Sequence, residues 1–159
     1  SYSRLSRVEI TSAPVSVATA VKAAFEQIDE GLRNKVNSSV DPSLTVSAHL
    51  PTLTQALYNL MNNGLKFYPP NVAPHVELTA HRDGRSVVIE VSDQGIGIAE
   101  KHQERIFQVF ERLHTTEAYP GTGIGLAIVK RGINRLGGTV RVESAPGKGS
   151  RFYISLPAA

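Results

Sequence analysis

The feature that most constrains the fold of this chain is Asp-Gln-Gly-Ile-Gly-Ile at residues 93–98, an acid followed by two closely spaced glycines. The apolar, β-branched run at 86–92 just before it predicts a strand that carries Asp93 to its end. Glycine adopts positive φ and lets a ligand approach the backbone closely, and the acid can accept a hydrogen bond from a buried ligand amine. Taken alone, the stretch is more simply explained as an ordinary Asp-Gly turn.

Two further features favour a ligand site over a simple turn. Asn63 lies in a helical run four residues after Asn59, and a second glycine cluster occupies residues 121–125. Residues four apart share one helix face, so the two Asn side chains should lie together. A solvated polar helix face explains that spacing equally well by itself. Together with the stretch at 93–98, however, these separated elements can close on one nucleotide.

The composition is that of an ordinary globular domain and excludes several classes of protein. The 159 residues suffice for one domain with a buried core, and the net charge of +3 comes from scattered Lys and Arg, which does not predict nucleic-acid binding. The absence of cysteine excludes a disulfide scaffold and a Cys-based zinc site, and it suits a reducing compartment such as the cytoplasm. No apolar run approaches the roughly 20 residues of a membrane span.

Hydrophobic spacing and turn signals predict the elements of the first half of the chain. They are a strand at 8–15 closed by Pro14, a helix capped by Ser16 and running from Val17 to about Asn34, strands at 35–40 and 44–49, and a helix that begins near Pro51. The second helix should bury one face, formed by Leu53, Leu57, Leu60, Met61, Gly64 and Leu65.

The second half is predicted to contain two hairpins separated by helices. Its elements are hairpin strands at 75–81 and 86–92, a short helix at 100–106, a helix that the glycines of 121–125 open and Gly137 ends, and strands at 139–144 and 151–156. Adjacent hairpins and three main helices indicate an α+β fold. We expect a mixed, mainly antiparallel sheet with helices on one face, in an order that local patterns do not give.

Other glycine-rich nucleotide sites are excluded by inspection. A phosphate-binding P-loop needs Gly, four residues, then Gly-Lys-Ser/Thr, but Gly147 and Lys148 are followed by Gly149. A dinucleotide fingerprint needs a third glycine where Glu100 and Leu126 stand. The lysine strand and Asp-Asn loop of a protein kinase are absent as well.

The glycine and Asn motifs resemble, in order and spacing, the four boxes of the histidine-kinase-type ATPase family, the GHKL or Bergerat fold. Residues 59–67 resemble its N box, 93–97 its G1 box, 106–112 its F box and 121–126 its G2 box. The resemblance covers residues 8–157, and the run at 112–121 is most similar to phytochrome-type and related sensor kinases.

The resemblance implies a two-layer α/β sandwich that holds ATP and Mg²⁺ between helices and sheet, under a lid at 99–120. It implies that Asp93 accepts from the adenine amino group and that Asn63 binds Mg²⁺, with Asn59 as a second candidate ligand; an amide oxygen suits Mg²⁺. Lys66 should meet phosphate charge, and Arg112 is a weaker candidate for the γ-phosphate. The implied ATP-binding residues are Asn59, Asn63, Lys66, Asp93, Gly95, Gly97, Arg112, Gly121, Thr122, Gly123, Gly125 and Leu126. Of these, Gly95 and Gly97 should admit base and ribose, and the later glycines should offer N–H groups to phosphate at a helix N-terminus.

The chain departs from the family pattern at two places. Gly64 stands where the family usually has Ala, which should loosen the helix by up to about 1 kcal/mol without touching the ligand. Sensor kinases also phosphorylate a histidine on a preceding dimerisation helix, and residues 1–7, which resemble the tail of such a helix, contain none. The five histidines, at 49, 75, 81, 102 and 114, all lie inside the ATP-binding match. We therefore divide the chain into that tail and an ATP-binding domain at 8–159.

The resemblance implies a protein histidine kinase domain that donates the γ-phosphate of ATP to a histidine on a separate dimerisation domain, and a response-regulator receiver domain as the further partner. An ATP-driven conformational switch, like the gyrase and chaperone relatives, is the alternative. Those relatives carry a Glu four residues before the metal-binding Asn, where this chain has Asn59, which cannot act as a base. A regulatory module that binds nucleotide without transfer is a third interpretation.

Overall fold

The computed structural model describes residues 11–107 and 125–159. The predicted helix tail at 1–7, residues 8–10 of the predicted strand, the later part of the F box and the predicted loop at 114–120 lie outside these ranges. Among the described helices, none combines the length and the apolar character needed to cross a membrane.

Strands and helices follow the predicted order along the chain. The strands are β1 (Ala13–Ser16), β2 (Val36–Ser39), β3 (Thr45–Ala48), β4 (Val76–Asp83), β5 (Ser86–Asp93), β6 (Thr139–Ser144) and β7 (Ser150–Pro157). The α-helices are α1 (Val17–Glu26), α2 (Leu50–Gly64), α3 (Glu100–Gln103) and α4 (Gly125–Arg135), and short 3-10 helices span Glu30–Lys35 and Arg105–Phe107.

The main sheet has five strands in the order β2-β4-β5-β7-β6. Strand β2 runs parallel to β4, and the other neighbours in this sheet are antiparallel. Strands β1 and β3 form a separate antiparallel pair. The prediction of a mixed, mainly antiparallel sheet is therefore confirmed, and the strand order, which long-range pairing decides, is new information.

The sheet and the helices form two layers around one core. Alternation along the strands places Leu78, Ile89 and Ile154 on the helix side, where each is fully buried, and leaves Glu77 and Arg151 exposed. Helix α2 packs between α1 and α4 and also contacts β4 and β5. All six apolar and glycine residues predicted for the buried face of α2 are buried. The sandwich with helices on one face is thus confirmed.

Two local predictions for the first helix differ in outcome. The Ser16 hydroxyl caps α1, as predicted, by accepting from the Thr19 N–H at 3.3 Å. The helix ends at Glu26, however, and not near Asn34. The guanidinium of Arg33 folds back and donates to the carbonyls of Glu26 at 2.6 Å and Ile28 at 2.9 Å, so it caps the end of the helix.

Apolar spacing continued past the real end of α1 because the following turn also faces the core. Ile28 is only 2% exposed, although it lies beyond the helix. Pro14 was expected to close the first strand but lies within β1, opposite Ser47. An edge strand tolerates proline because one row of its N–H groups needs no partner in the sheet.

Candidate functional site

Asp93 lies at the end of a central strand, as the sequence predicts. It is the last residue of β5 and is in register with Val76 of β4 and Ser150 of β7. Its Oδ1 atom accepts a hydrogen bond from the N–H of Gly95 at 2.9 Å, which closes the turn directly after the strand. The two neighbouring strands fix the backbone of Asp93, and this turn fixes its carboxylate.

The environment of this carboxylate changes its acidity. Burial raises the pKa of Asp93 to about 6, against the opposing effect of the Gly95 and Ser150 backbone N–H groups, which favour the charged form. A carboxylate that is mostly ionised at pH 7 yet poorly solvated is a strong hydrogen-bond acceptor. The end of β5 therefore presents an acceptor suited to a ligand amine.

The turn after Asp93 is attached to two other parts of the fold. The Ile96 N–H donates to the Phe67 carbonyl beyond the end of α2 at 2.9 Å, and the Ile96 carbonyl accepts from the Gly147 N–H at 2.7 Å. The Ile98 N–H donates to the Ser144 hydroxyl at 2.7 Å. The turn is thus held between the end of α2 and the hairpin of β6 and β7.

The glycines of this turn are required by contacts within the protein. Gly97 has a φ of +78°, and a Cβ there would overlap the Ala145 carbonyl oxygen. A Cβ at Gly95 would lie 3.0 Å from the Phe67 carbonyl oxygen and 3.1 Å from the Asp93 carboxylate. Each glycine therefore lets backbone segments pack closely beside Asp93. Their predicted role in admitting base and ribose stays a prediction.

A polar cavity lies on the other side of α2, beside the start of α4. It is lined by Asn59, Asn62, Asn63, Lys66, Phe67, Gly125 and Leu126. The structure thus brings together five of the predicted site residues from two motifs that are far apart in the sequence. Asn62 and Phe67 were not predicted individually, although 59, 62, 63 and 66 follow the i, i+3, i+4, i+7 spacing of one helix face.

One amide nitrogen in this cavity lacks a partner within the described residues. The Nδ2 atom of Asn59 is buried and has no hydrogen-bond partner among residues 11–107 and 125–159. An Asn side chain presents either its oxygen or its NH₂ group after rotation about χ2, so it can serve a cation or a phosphate. Asn63 offers a second amide and Lys66 an exposed ammonium. These groups suit a complex of Mg²⁺ with phosphates. Mg²⁺ needs only one or two ligands from the protein, which the amides can supply, and the ammonium of Lys66 can neutralise phosphate charge.

The carboxylate and the cavity lie on either side of the last turn of α2. Gly64, the neighbour of Asn63, faces Asp93 so closely that a Cβ on it would lie 3.3 Å from the Cβ of Asp93. The end of α2 is therefore flanked by Asp93, which can accept from an amine, and by the cavity, whose polar groups suit phosphate and metal. Arg112, Gly121, Thr122 and Gly123 lie outside the described residues, so their predicted roles stay predictions.

The arrangement of motifs has a counterpart in known proteins. A family model described as histidine kinase-, DNA gyrase B- and HSP90-like ATPase matches residues 48–159. The match covers most of the chain and contains α2, the Asp93 turn and α4. The chain belongs to this ATPase family.

Individual relatives narrow the resemblance to sensor kinases. The phytochrome-like protein Cph1 of Synechocystis sp. is 45% identical over 144 residues, which cover 87% of this chain and 19% of that protein. The mycobacterial sensor histidine kinase MprB superposes with a TM-score of 0.76 at 26% identity, covering 93% of this chain and 98% of that structure. Full-length ShkA in complex with AMPPNP superposes with a TM-score of 0.78 at 32% identity, covering 96% of this chain and 32% of that structure.

These relatives confirm the predicted similarity to phytochrome-type and related sensor histidine kinases, and they confirm the fold. The chain spans about a fifth of the length of the phytochrome relatives that it matches. Most of each phytochrome relative therefore has no counterpart in this sequence.

Proposed function

We propose that this chain is the catalytic, ATP-binding domain of a two-component sensor histidine kinase in the cytoplasm. It binds Mg-ATP and donates the γ-phosphate to a histidine on a separate dimerisation domain of the same protein. A response-regulator receiver domain is the partner that then takes the phosphoryl group. The observation that carries the proposal is the placement of Asp93 and the polar cavity on either side of one turn of α2.

Asp93 provides the selectivity for adenine. Its carboxylate accepts from the exocyclic amine of adenine, whereas guanine has a carbonyl at that position. Two acceptors would then face each other in a poorly solvated site, which costs the full desolvation of both groups. Burial of Asp93 strengthens the discrimination, because little water is available to separate the two oxygens.

The amides of α2 and the start of α4 hold the triphosphate. Asn63, with Asn59 beside it, holds Mg²⁺, and the metal supplies positive charge that neutralises the phosphate oxygens. Lys66 lies on the same helix face and adds a second positive charge. Gly125 is the first described residue of α4, and a helix N-terminus favours phosphate.

The residue at position 59 favours transfer to a partner over hydrolysis. Asn59 lines the cavity where the ATPase-switch relatives need a carboxylate to activate water, and an amide does not accept a proton at neutral pH. Phosphoryl transfer needs an aligned acceptor and a group that positions it. We therefore expect the bound γ-phosphate to survive until a histidine from the dimerisation domain reaches it.

The test is a labelling experiment with γ-labelled ATP. The chain is incubated alone, with its dimerisation domain, and with that domain lacking its acceptor histidine. We expect label only on the histidine-bearing partner, and slow phosphate release from the chain alone. Strong label on the lone chain, or rapid phosphate release that Asn63→Ala abolishes, would contradict the proposal and favour an ATP-driven switch.

A further inference from the structure

The hydroxyl of Tyr68 joins two segments beside the proposed adenine site. Tyr68 follows Phe67, whose φ of +64° turns the chain back after α2. The Tyr68 hydroxyl lies 2.6 Å from the carbonyl oxygen of Gly64 and 3.0 Å from that of His75, and it accepts from the His75 N–H at 3.2 Å. One half-buried hydroxyl thus connects the last turn of α2 to the residue before β4.

Both attachment points adjoin Asp93. Gly64 faces Asp93 directly, and a Cβ on it would lie 2.9 Å from Val76 Cγ2 and 3.3 Å from Asp93 Cβ. His75 precedes Val76, the residue in register with Asp93 across the sheet. The phenol also lies within electrostatic reach of Asp93: burial is the main cause that raises the pKa of Tyr68, and the negative charge of Asp93 adds to it.

We propose that Tyr68 is a positioning residue, whose hydroxyl holds the end of α2 and the start of β4 against Asp93 so that the carboxylate stays aligned for adenine. The proposal rests on the proposed role of Asp93 as the adenine acceptor. Tyr68 lies just outside the N box, and nothing in the four motifs assigns it a role. The hydroxyl has a single proton, so it donates to one carbonyl at a time while accepting from the His75 N–H.

Loss of this hydroxyl should change the site in a specific way. The two carbonyls and the His75 N–H would then seek water, and water would enter the wall beside Asp93. Because burial is what raises the pKa of Asp93, a wetter wall should lower it. The cavity lined by the α2 amides lies on the other side of the helix and should change little.

The experiment compares Tyr68→Phe with Tyr153→Phe. The control removes a hydroxyl that donates to Glu143 at 3.0 Å on the open face of the sheet. Calorimetry measures binding of AMPPNP and of inorganic tripolyphosphate, each with Mg²⁺, across a pH series that spans the titration of Asp93. We expect Tyr68→Phe to weaken AMPPNP binding about three- to tenfold, as for one lost hydrogen bond. AMPPNP binding to Tyr68→Phe should also persist to lower pH than in wild type, because the pKa of Asp93 is lower. Tripolyphosphate binding to this variant should be unchanged. Tyr153→Phe should match wild type in every measurement.

Two results would overturn the positioning role. One is wild-type AMPPNP affinity and pH dependence in Tyr68→Phe. The other is an equal loss of AMPPNP and tripolyphosphate binding, which would indicate a general loosening of the domain. Wild-type affinity in Asp93→Asn, measured in the same series, would overturn the adenine site itself and this proposal with it, so the two failures are distinguishable.

Discussion

The two sides of the α2 end are built differently. On the Asp93 side, hydrogen bonds within the protein satisfy the backbone groups. The Ile96 N–H donates to the Phe67 carbonyl, and the Gly147 N–H donates to the Ile96 carbonyl. The Tyr68 hydroxyl bonds to the carbonyls of Gly64 and His75. On the cavity side, polar side chains of α2 line open space, and the Nδ2 atom of Asn59 lacks a partner within the described residues. The fold itself therefore shapes the acceptor for the base, whereas the phosphate side leaves polar groups for a ligand to satisfy.

This contrast predicts that the Asp93 side controls selectivity and that the cavity side controls dependence on metal. The Asp93 side should also lower the stability of the free protein, because a buried carboxylate is poorly solvated.

The largest effect is expected from Asp93→Asn. The amide presents an NH₂ group and loses the charge, so AMPPNP binding should weaken about ten- to a hundredfold, the range for hydrogen bonds to charged groups. Calorimetry with AMPPNP and a guanine analogue measures both affinity and selectivity. Asp83→Asn, on the exposed hairpin turn, removes the same charge elsewhere and should bind as wild type. Retained adenine preference in Asp93→Asn would remove this residue from the site.

A smaller and qualitatively different loss is expected from Asn63→Ala. Affinity for Mg-AMPPNP should fall about five- to tenfold. The affinities for AMPPNP measured with Mg²⁺ and with EDTA should become nearly equal. Selectivity for adenine should stay intact, because Asp93 is untouched. Asn134→Ala, on the exposed face of α4, is the matched control. A full Mg²⁺ effect in Asn63→Ala would show that the metal is held elsewhere.

The free protein should gain stability from Asp93→Asn, the change that weakens binding most. The folded protein holds a proton on Asp93 with a pKa of about 6, whereas an unfolded Asp has a pKa of about 3.9. The protonated form stabilises the fold below about pH 4, and this contribution is lost as pH rises through about 6. Asp93→Asn should therefore raise stability at pH 7 by about 2 to 3 kcal/mol, and much less at pH 4.

Thermal unfolding of the ligand-free protein at the two pH values measures this difference. Asp83→Asn again serves as the control, since its exposed carboxylate should give no such gain. Equal effects of Asp93→Asn at both pH values would show that burial of this carboxylate costs nothing.

The smallest effect is expected from Gly64→Ala. The new methyl group favours the helix by about 1 kcal/mol but presses on Val76 and on Asp93. We expect AMPPNP affinity to fall about threefold through this overpacking. In Gly64→Ala/Val76→Ala, the space freed at Val76 should restore affinity even though the core loses packing. A double variant that binds no better than Gly64→Ala would show that this contact does not set the position of Asp93.

Local signals in the sequence predicted the elements well where one interaction decides the outcome. The Ser16 cap, the buried face of α2 and the hairpin of β4 and β5 all follow from short-range spacing. The predicted end of α1 was wrong for two reasons. The Arg33 side chain caps the helix from seven residues away, and Ile28 continues the apolar spacing because it is buried beyond the helix. The order of the strands depends on pairing over long distances, which no local pattern records.

The candidate site was predicted through its motifs and missed in its supporting contacts. Asp93, Asn59 and Asn63 were recognised by their type and spacing. Gly64 was expected to loosen the helix without touching the ligand, which stays a prediction. Its contact with Asp93 was not anticipated. Tyr68 had no signal, because its role depends on the chain turning back at Phe67 and on His75 arriving beside it.

The most direct test of the account is a crystal structure of this chain with Mg²⁺ and AMPPNP. We expect the adenine amine within about 2.7–3.2 Å of the Asp93 carboxylate, the range of a hydrogen bond. We also expect the metal beside Asn63 and the phosphates beside Lys66 and the start of α4. A nucleotide bound elsewhere, or one whose base does not contact Asp93, would contradict the account.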